Sequence, residues 1–174
     1  MSDTPDTPPP APAPAPAPAS GTAPRKASGR GPGAQRRSNA RKLAMQALYQ
    51  MQLNPQPWQD LHLQFTKDEE FAGADPEYFR VLLKDIAESY ESLEALLSSL
   101  SQIPLVQLDP VEHAILLVSL LELRDRAELP YRVVINEGIE LAKRFGATDG
   151  HKFVNGVLDR AARTLRPHEQ GSRR

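Results

Sequence analysis

The amino-acid sequence predicts an all-α fold, and three observations support that prediction. Apolar residues recur every three or four positions over most of the chain after residue 35, which is the period of an amphipathic helix. Two aspartate–proline pairs, beginning at Asp75 and Asp109, each combine a favoured N-cap residue with a favoured first helical residue. No stretch alternates apolar and polar residues in the way that a half-buried strand does.

The first 34 residues are not suited to a packed core. Pro8 to Pro18 is a proline–alanine repeat without large apolar side chains, and such a tract favours the extended polyproline II conformation. We therefore predict a disordered basic arm over residues 1–34, a helical domain over residues 35–168 and a disordered tail over residues 169–174. The arm lacks the apolar segment of a signal peptide, and no apolar run is long enough to span a membrane. Since the chain also has no cysteine, we expect a cytoplasmic protein.

Two helices are predicted directly after the arm. The first begins between residues 35 and 38 and ends at Leu53, because the Asn54–Pro55 pair that follows stops a helix. Its N-terminal part is basic, whereas its second half carries an apolar stripe. A short second helix is predicted to open at Pro57 and Trp58 and to end at about Phe65, and a polar connection follows it.

The two aspartate–proline pairs open the next helices. From Asp75 we predict one long amphipathic helix, because apolar residues step by threes and fours as far as Leu100. Asp109 opens a central helix in which almost every side chain up to Leu123 is apolar, so other helices must surround it. Glu112 stands three residues after Asp109, where its side chain can close a capping box.

Two further helices complete the predicted bundle. Pro130 opens the first of them as its N1 residue, and Gly146 ends it. Thr148 is predicted to cap the last helix, whose buried stripe continues to Leu165. Several of the other side chains of that helix are basic, so it forms a second basic element after the start of the first helix.

Charge is distributed unevenly along the chain. Between Asp6 and Asp60 there are seven basic residues and no acidic one, whereas the remainder is acidic. A basic arm on an acidic body is a common arrangement for binding a polyanion, although a basic tail can also serve solubility alone. Arginines at the start of a helix oppose the helix dipole but favour a bound phosphate, which meets free N–H groups there.

No catalytic constellation stands out in the sequence. It contains no glycine-rich phosphate loop and no metalloprotease motif, and its four histidines are scattered. Glu112 and His113 are adjacent and point about 100° apart on a helix, so they do not form an acid–base pair. We therefore predict a protein that is not an enzyme and uses no cofactor or metal.

Three segments resemble the NusB family of bacterial transcription antitermination factors. They are ARKLAMQALYQMQL from Ala40 to Leu53, DPVEHAILLVSLLEL from Asp109, and PYRVVINEGIELAKRFGATDGHKFVNGVLDRAA from Pro130 to Ala162. The resemblance covers about residues 36–166, and the last segment is long and specific. It implies a compact bundle of about seven helices in two perpendicular three-helix sub-bundles.

The resemblance also implies a function and a set of partners. The family binds the boxA element of nascent RNA, chiefly in the leaders of ribosomal RNA operons, together with NusE, a small-subunit ribosomal protein. The pair supports antitermination by RNA polymerase with other Nus factors. Similar domains occur at the N-terminus of some ribosomal RNA methyltransferases, but this chain ends soon after its last predicted helix, which favours the free-standing factor.

Functional positions follow from the resemblance where this sequence matches the family. RNA contacts are implied for Arg36, Arg37, Arg41, Gln46, Asp149, Lys152 and Phe153. Contacts with NusE are implied for Tyr49 and Glu112. Ser38 and Asn39 replace residues that are often arginine in the family, which weakens the implied phosphate grip unless Arg36 or the upstream basic residues substitute.

Alternatives stay open at several of these points. Phe153 suits a ring on which an unstacked RNA base stacks, but it also suits the core, as does Tyr49. The basic first helix is equally compatible with the plain surface of a protein-interaction bundle. A third alternative is the recognition domain of an RNA-modifying enzyme whose catalytic chain is separate.

Overall fold

The structure is a computed structural model that describes residues 31–171. Within this range the chain forms α-helices and short 3-10 turns and no strand, so the all-α prediction is confirmed. The predicted arm lies outside the described residues except for residues 31–34, and residues 172–174 also lie outside them. No helix between residues 31 and 171 combines the length and the apolar character that crossing a bilayer requires.

Eight α-helices follow one another along the described chain. They are α1 (Pro32–Leu53), α2 (Trp58–Phe65), α3 (Pro76–Glu88), α4 (Tyr90–Leu100), α5 (Pro110–Asp125), α6 (Tyr131–Phe145), α7 (Gly150–Leu165) and α8 (Pro167–Gln170). Two 3-10 turns, at Glu69–Gly73 and Leu105–Gln107, lie in the connections that precede α3 and α5.

Helix α5 lies at the centre of the bundle. Every residue from Glu112 to Leu123 is buried, as expected for a helix that is apolar on nearly all sides. Helices α1, α2 and α3 pack against one another, and α5, α6 and α7 form a second mutually packed group. Contacts of α1 and α3 with α5 join the two groups, and α4 packs against α5 and α7. These are the two groups of three helices that the resemblance implies.

The aspartate caps form as predicted, but the capping box does not. The Asp109 carboxylate accepts hydrogen bonds from the backbone N–H groups of Val111 and Glu112, at 2.9 and 3.2 Å. The Asp75 carboxylate accepts one from the N–H of Tyr78 at 3.0 Å. The Glu112 side chain does not return to Asp109, because it turns toward the start of α7, where its carboxylate lies against Gly150.

The prediction of one long helix after Asp75 is wrong, because the chain breaks at Ser89 into α3 and α4. Helix α3 packs mainly against α1, whereas α4 packs mainly against α5 and α7. Ile86 and Leu93 are both fully buried, and the break lets each helix turn its apolar side toward its own neighbours. The apolar spacing runs through the break undisturbed, so the sequence pattern does not reveal it.

Several helix ends differ from the predictions by a few residues. Helix α1 begins at Pro32, before the predicted start of the domain, and Pro130 is the residue before α6 rather than its first residue. The cap position of α7 is Asp149 instead of Thr148. Asp149 has a φ of 64°, a left-handed conformation that aspartate tolerates better than most residues.

Part of the predicted disordered tail is ordered as α8, and it closes one end of the bundle. Arg166, directly before α8, is buried and donates hydrogen bonds to four backbone carbonyls, those of Glu122, Leu123, Arg126 and Leu129. Glu169 of α8 accepts a hydrogen bond from the N–H of Tyr131 at 3.0 Å. Arg166 therefore supplies hydrogen-bond donors to backbone carbonyls at the C-terminal end of α5, and Glu169 supplies an acceptor to a backbone N–H group at the start of α6.

Candidate RNA and partner interface

Arg41, which the resemblance implies as an RNA contact, is buried inside the bundle. Only 3% of its surface is exposed, and its Nε donates to both carboxylate oxygens of Glu122, at 2.8 and 2.9 Å. The hydroxyl of Tyr78 donates to the same carboxylate. An RNA phosphate would have to displace this ion pair from the interior. Arg41 therefore has a structural role in the bundle, and its implied contact with RNA stays a prediction.

The charge states of this buried cluster follow from its contacts. Burial alone would lower the pKa of Arg41, but the hydrogen bond and the charge of Glu122 more than offset burial and raise it. Burial and the same carboxylate also raise the pKa of Tyr78. The Arg41 guanidinium also lies 3.9 Å from a carboxylate oxygen of Glu137, which is buried as well, so two carboxylates face this one cation inside the bundle.

Arg36 and Arg37 are exposed at the start of α1. Nη2 of Arg36 donates to the carbonyl of Ala74 at 2.8 Å, so this side chain helps to hold the connection before α3. Arg37 lines a shallow cavity with Leu129 and Val133. It makes no ion pair with another residue of the described range, and its guanidinium therefore remains available to an anion.

A groove of about 720 Å³ lies between α1 and α6. Both helices line it with polar and charged side chains, among them Gln35, Asn39, Lys42, Glu140, Lys143 and Arg144. Lys42 is largely covered and pairs with Glu70 at 2.5 Å, whereas Lys143 and Arg144 are exposed. Lys143 and Arg144 were not predicted as candidates from the sequence. Their signal was a pair of basic residues in the last turn of a helix that leads to Asp149.

Gln46 and Tyr49 continue the side of α1 that lines this groove. Lys42, Gln46 and Tyr49 follow one another at intervals of four and three residues, so they share one side of the helix. Gln46 is half-buried, and 37% of the Tyr49 surface is exposed. The core alternative for Tyr49 is therefore wrong, since much of its ring is open to a partner.

The C-terminal end of α1 meets the start of α5. Nε2 of Gln52 donates to the carbonyl of Pro110 at 3.0 Å, which brings the last turns of α1 close to Glu112. Only 7% of the Glu112 surface is exposed, and its Oε1 has no hydrogen-bond partner between residues 31 and 171. A buried acceptor left unpaired is costly, and this oxygen lies against the backbone of Gly150 instead of facing a donor.

The Glu112 carboxyl has a perturbed pKa as a result of this position. Burial raises its pKa above the ordinary value of 4.5, and the nearby charge of Asp109 raises it further. The hydrogen bond from the backbone of Ala147 acts in the opposite direction and lowers it. Because burial dominates, the group holds its proton more tightly than an exposed glutamate does.

Glu112 can occupy this position because residue 150 is a glycine. A Cβ at residue 150 would lie 1.7 Å from Oε1 of Glu112, which is far inside van der Waals contact. The start of α7 therefore lies directly against the start of α5. This close approach places three of the implied RNA contacts, Asp149, Lys152 and Phe153, next to Glu112.

Asp149, Lys152 and Phe153 differ in solvent exposure. Nζ of Lys152 pairs with Asp149 at 3.2 Å, and both side chains are mostly exposed, at 71% and 66%. Phe153 is half-buried: it packs against the core and leaves part of its ring accessible. Phe153 is therefore in part a core residue, and the core alternative accounts only for the buried part of its side chain.

The structure separates the implied residues into two zones. One zone, which we call the junction, consists of Tyr49, Glu112, Asp149, Lys152 and Phe153, where the start of α5 contacts the end of α1 and the start of α7. The other is the exposed start of α1 with its two arginines, twelve residues before Tyr49 and therefore about 18 Å away along the helix. The groove between α1 and α6 lies between the two zones.

Comparison with known proteins gives a consistent family assignment. The model of the NusB family matches residues 38–163. The transcription antitermination protein NusB of Idiomarina loihiensis is 44% identical over 134 residues, which cover 77% of this chain and 96% of that protein. The protein of the same name from Marinobacter nauticus is 45% identical over 145 residues, which cover 83% of this chain and 92% of that protein.

Solved structures agree with this assignment. A structure of T. maritima NusB aligns with a TM-score of 0.65 at 28% identity and covers 77% of this chain and 96% of that chain. A chain from the crystal structure of the antitermination factors NusB and NusE in complex with dsRNA aligns with a TM-score of 0.63. Its identity is 22%, over 73% of this chain and 96% of that chain, so this likeness concerns the fold. Because the family model spans nearly the whole helical domain and relatives match it at more than 40% identity, the chain belongs to the NusB family.

Proposed function

We propose that this chain is a cytoplasmic, non-catalytic antitermination factor that binds boxA RNA from ribosomal RNA operons together with NusE. The observation that carries the proposal is the junction, where one helix start supplies a cation and an aromatic ring beside a buried carboxylate with a free oxygen. The chain's relatives are transcription antitermination proteins, and one structure with the same fold contains NusE and RNA.

On the RNA side of the junction, each residue suits one part of a nucleotide. The exposed ammonium of Lys152 is placed to pair with a phosphate, which gives affinity without sequence preference. The accessible part of the Phe153 ring offers a face on which an unstacked base stacks. Asp149 holds Lys152 in the free protein, and its carboxylate is free to accept from a base amino group once Lys152 turns to a phosphate.

The RNA path continues from the junction toward the start of α1. Lys143 and Arg144 stand exposed along the intervening groove, and Gln46 lies on the α1 side of it. Arg37 at the far end has no competing ion pair among the described residues, so it supplies a further phosphate contact. We assign the phosphate grip to Arg37, with Arg36 beside it, and not to the buried Arg41.

On the protein side of the junction, Tyr49 and Glu112 form the contact with NusE. Tyr49 supplies an exposed ring, and Glu112 contributes the small part of its surface that is exposed. Because Glu112 lies against the start of α7, NusE bound there also touches the RNA-binding helix. The joint surface then supports RNA polymerase, with other Nus factors, in passing terminators.

The experiment that tests this proposal compares RNA affinities of single variants in the presence of NusE. Phe153→Leu keeps the apolar contact with the core but removes the ring, so boxA binding should weaken by about 1–3 kcal/mol. Arg163→Gln is the control, because Arg163 is exposed on the same helix two to three turns from the junction. Equal losses from the two variants would overturn the assignment of base stacking to Phe153.

The same titrations separate the protein contact from the RNA contact. Tyr49→Ala should weaken NusE binding, and it should weaken boxA binding only when NusE is present. Phe153→Leu should leave NusE binding in the absence of RNA unchanged. A loss of NusE binding in Phe153→Leu, or none in Tyr49→Ala, would contradict the division of the junction into two sides.

A further inference from the structure

An apolar groove of about 510 Å³ lies at the C-terminal end of α1, on another side of the bundle from the α1–α6 groove. The end of α1, the first turn of α2 and the junction of α3 with α4 enclose it. Two aromatic residues, two prolines and three glutamines are among the residues that line it, namely Trp58, Tyr90, Pro55, Pro57, Gln52, Gln56 and Gln59. The proposed function makes no use of this groove.

Hydrogen-bond donors stand beside the aromatic rings of the groove. Among residues 31–171, neither the indole N–H of Trp58 nor the hydroxyl of Tyr90 has a hydrogen-bond partner, and the same is true of the Gln59 amide. The Gln56 amide makes only a long contact of 3.4 Å with the carbonyl of Asn54. Aromatic faces with unpaired donors between them recognise the polyproline II helix, because its carbonyls have no internal hydrogen bonds.

We propose that this groove binds the chain's own proline–alanine segment, Pro8–Pro18. The segment is the one part of the sequence whose composition favours polyproline II. Its alternating prolines present pyrrolidine rings on every side of a three-residue turn, so several registers fit an aromatic groove. Alanine at the intervening positions adds little bulk and no charge, which suits an apolar site.

The linking chain is long enough for the segment to reach the groove. Helix α1 has 22 residues and is therefore about 33 Å long. Thirteen residues lead from Pro18 to Gly31, and in extended form they span about 43 Å. The segment can therefore fold back along α1 to the groove at its far end. Tethering raises the effective concentration of the segment to roughly the millimolar range, so weak contacts are sufficient.

Paramagnetic broadening in the full chain tests the proposal, because the sequence has no cysteine and one tryptophan. Ala13→Cys carries a single nitroxide label, and the indole N–H signal of Trp58 reports on the groove. The docked segment should remove most of that signal's intensity and leave the amide of Val133 less affected. Val133 lines a cavity with Gly31, where the arm joins the bundle, so an undocked arm would broaden Val133 more than Trp58.

Two further samples complete the test. Replacing the prolines of Pro8–Pro18 with serine in the labelled chain should restore the Trp58 signal, because serine does not hold polyproline II. Mixing nitroxide-labelled chains with isotope-labelled chains that carry no nitroxide should leave Trp58 unbroadened. Broadening in the mixed sample would assign the groove to the arm of a second copy and overturn the intramolecular proposal. An intact Trp58 signal in the labelled wild-type arm would overturn docking altogether.

Discussion

Arg37 and Arg41 show how neighbouring residues of the same type take opposite roles. They are four residues apart on one side of α1, yet Arg37 is exposed and Arg41 is buried against Glu122. The sequence does not show that the two arginines differ in burial, because the Glu122 carboxylate that pairs with Arg41 is 81 positions away along the chain. A local motif identifies basic residues at a helix start, but tertiary packing decides which of them faces water.

The first prediction concerns this pair of arginines. Arg41→Gln should lower the free energy of unfolding by about 3–5 kcal/mol, because it leaves the Glu122 charge buried without its partner. Arg37→Gln should change that free energy by less than about 0.5 kcal/mol and should weaken RNA binding. Urea unfolding and an RNA titration of both variants measure the two effects. If Arg41→Gln proved as stable as Arg37→Gln, the structural role of Arg41 would be refuted.

The second prediction concerns the contact between Gly150 and Glu112. A carboxyl whose pKa is raised in the folded state binds its proton more tightly there than in the unfolded chain. The wild-type stability should therefore fall as the pH rises from 4.5 through the raised pKa of Glu112. Gly150→Ala pushes the carboxylate out of its place, so this part of the pH dependence should disappear.

Urea midpoints at pH values on both sides of that window test the effect. Gly156→Ala is the matched control on the same helix, because a Cβ there meets only the end of the Arg160 side chain, at 3.7 Å. It should retain the wild-type pH dependence. A Gly150→Ala variant that keeps the wild-type pH dependence would contradict the proposed contact between Gly150 and Glu112.

Among the helix ends, local signals predicted the two aspartate caps correctly but not the capping box at Glu112 or the cap at Thr148. Asp75 and Asp109 cap their helices as expected, since a cap needs only the residues next to it. The break at Ser89 was missed, because it follows from the different neighbours of α3 and α4 and leaves no mark on the apolar spacing. The short helix α8 was missed for a similar reason, since its contacts lie on α6 and on the residue before it.

The third prediction concerns Arg166, which ties the end of α7 to the end of α5. Arg166→Met removes four hydrogen bonds to backbone carbonyls and should lower the free energy of unfolding by at least about 2 kcal/mol. Arg163→Met is the control, because Arg163 is exposed one turn earlier and should have little effect. Thermal unfolding of the two variants makes the comparison. Similar melting temperatures would show that the carbonyls find other partners.

At the scale of the whole molecule, the fold class and the helical core followed from apolar spacing and helix caps. The junction did not follow from spacing, because its residues come from α1, α5 and α7 and meet only in the folded chain. The resemblance implied all five of them, and the structure adds how they are held, through the Gln52 contact and the glycine at position 150. Lys143 and Arg144 could not be identified from the sequence for the same reason, since the groove that they line forms between two helices that are far apart along the chain.

The fourth prediction concerns the arm. Deleting residues 1–30 leaves α1 intact, because that helix begins at Pro32, but it removes Arg25, Lys26 and Arg30. Affinity for RNA should fall mildly, and the slope of log affinity against log salt should decrease by at most about 2 if all three residues contact phosphates. NusE binding should stay unchanged. An identical slope in the full and shortened chains would show that the arm's charges do not touch RNA.

A titration of fluorescent boxA RNA with and without NusE, at two salt concentrations and beside a scrambled RNA, tests whether the protein contact and the base contact act together. The junction places the protein contact and the base contact on adjoining helix starts, so NusE should tighten binding to boxA more than binding to the scrambled RNA. The preference for boxA should persist at the higher salt concentration, where phosphate contacts are weakened. Equal, salt-sensitive binding to both RNAs with no effect of NusE would contradict the account and leave the chain as a helical bundle with a basic surface.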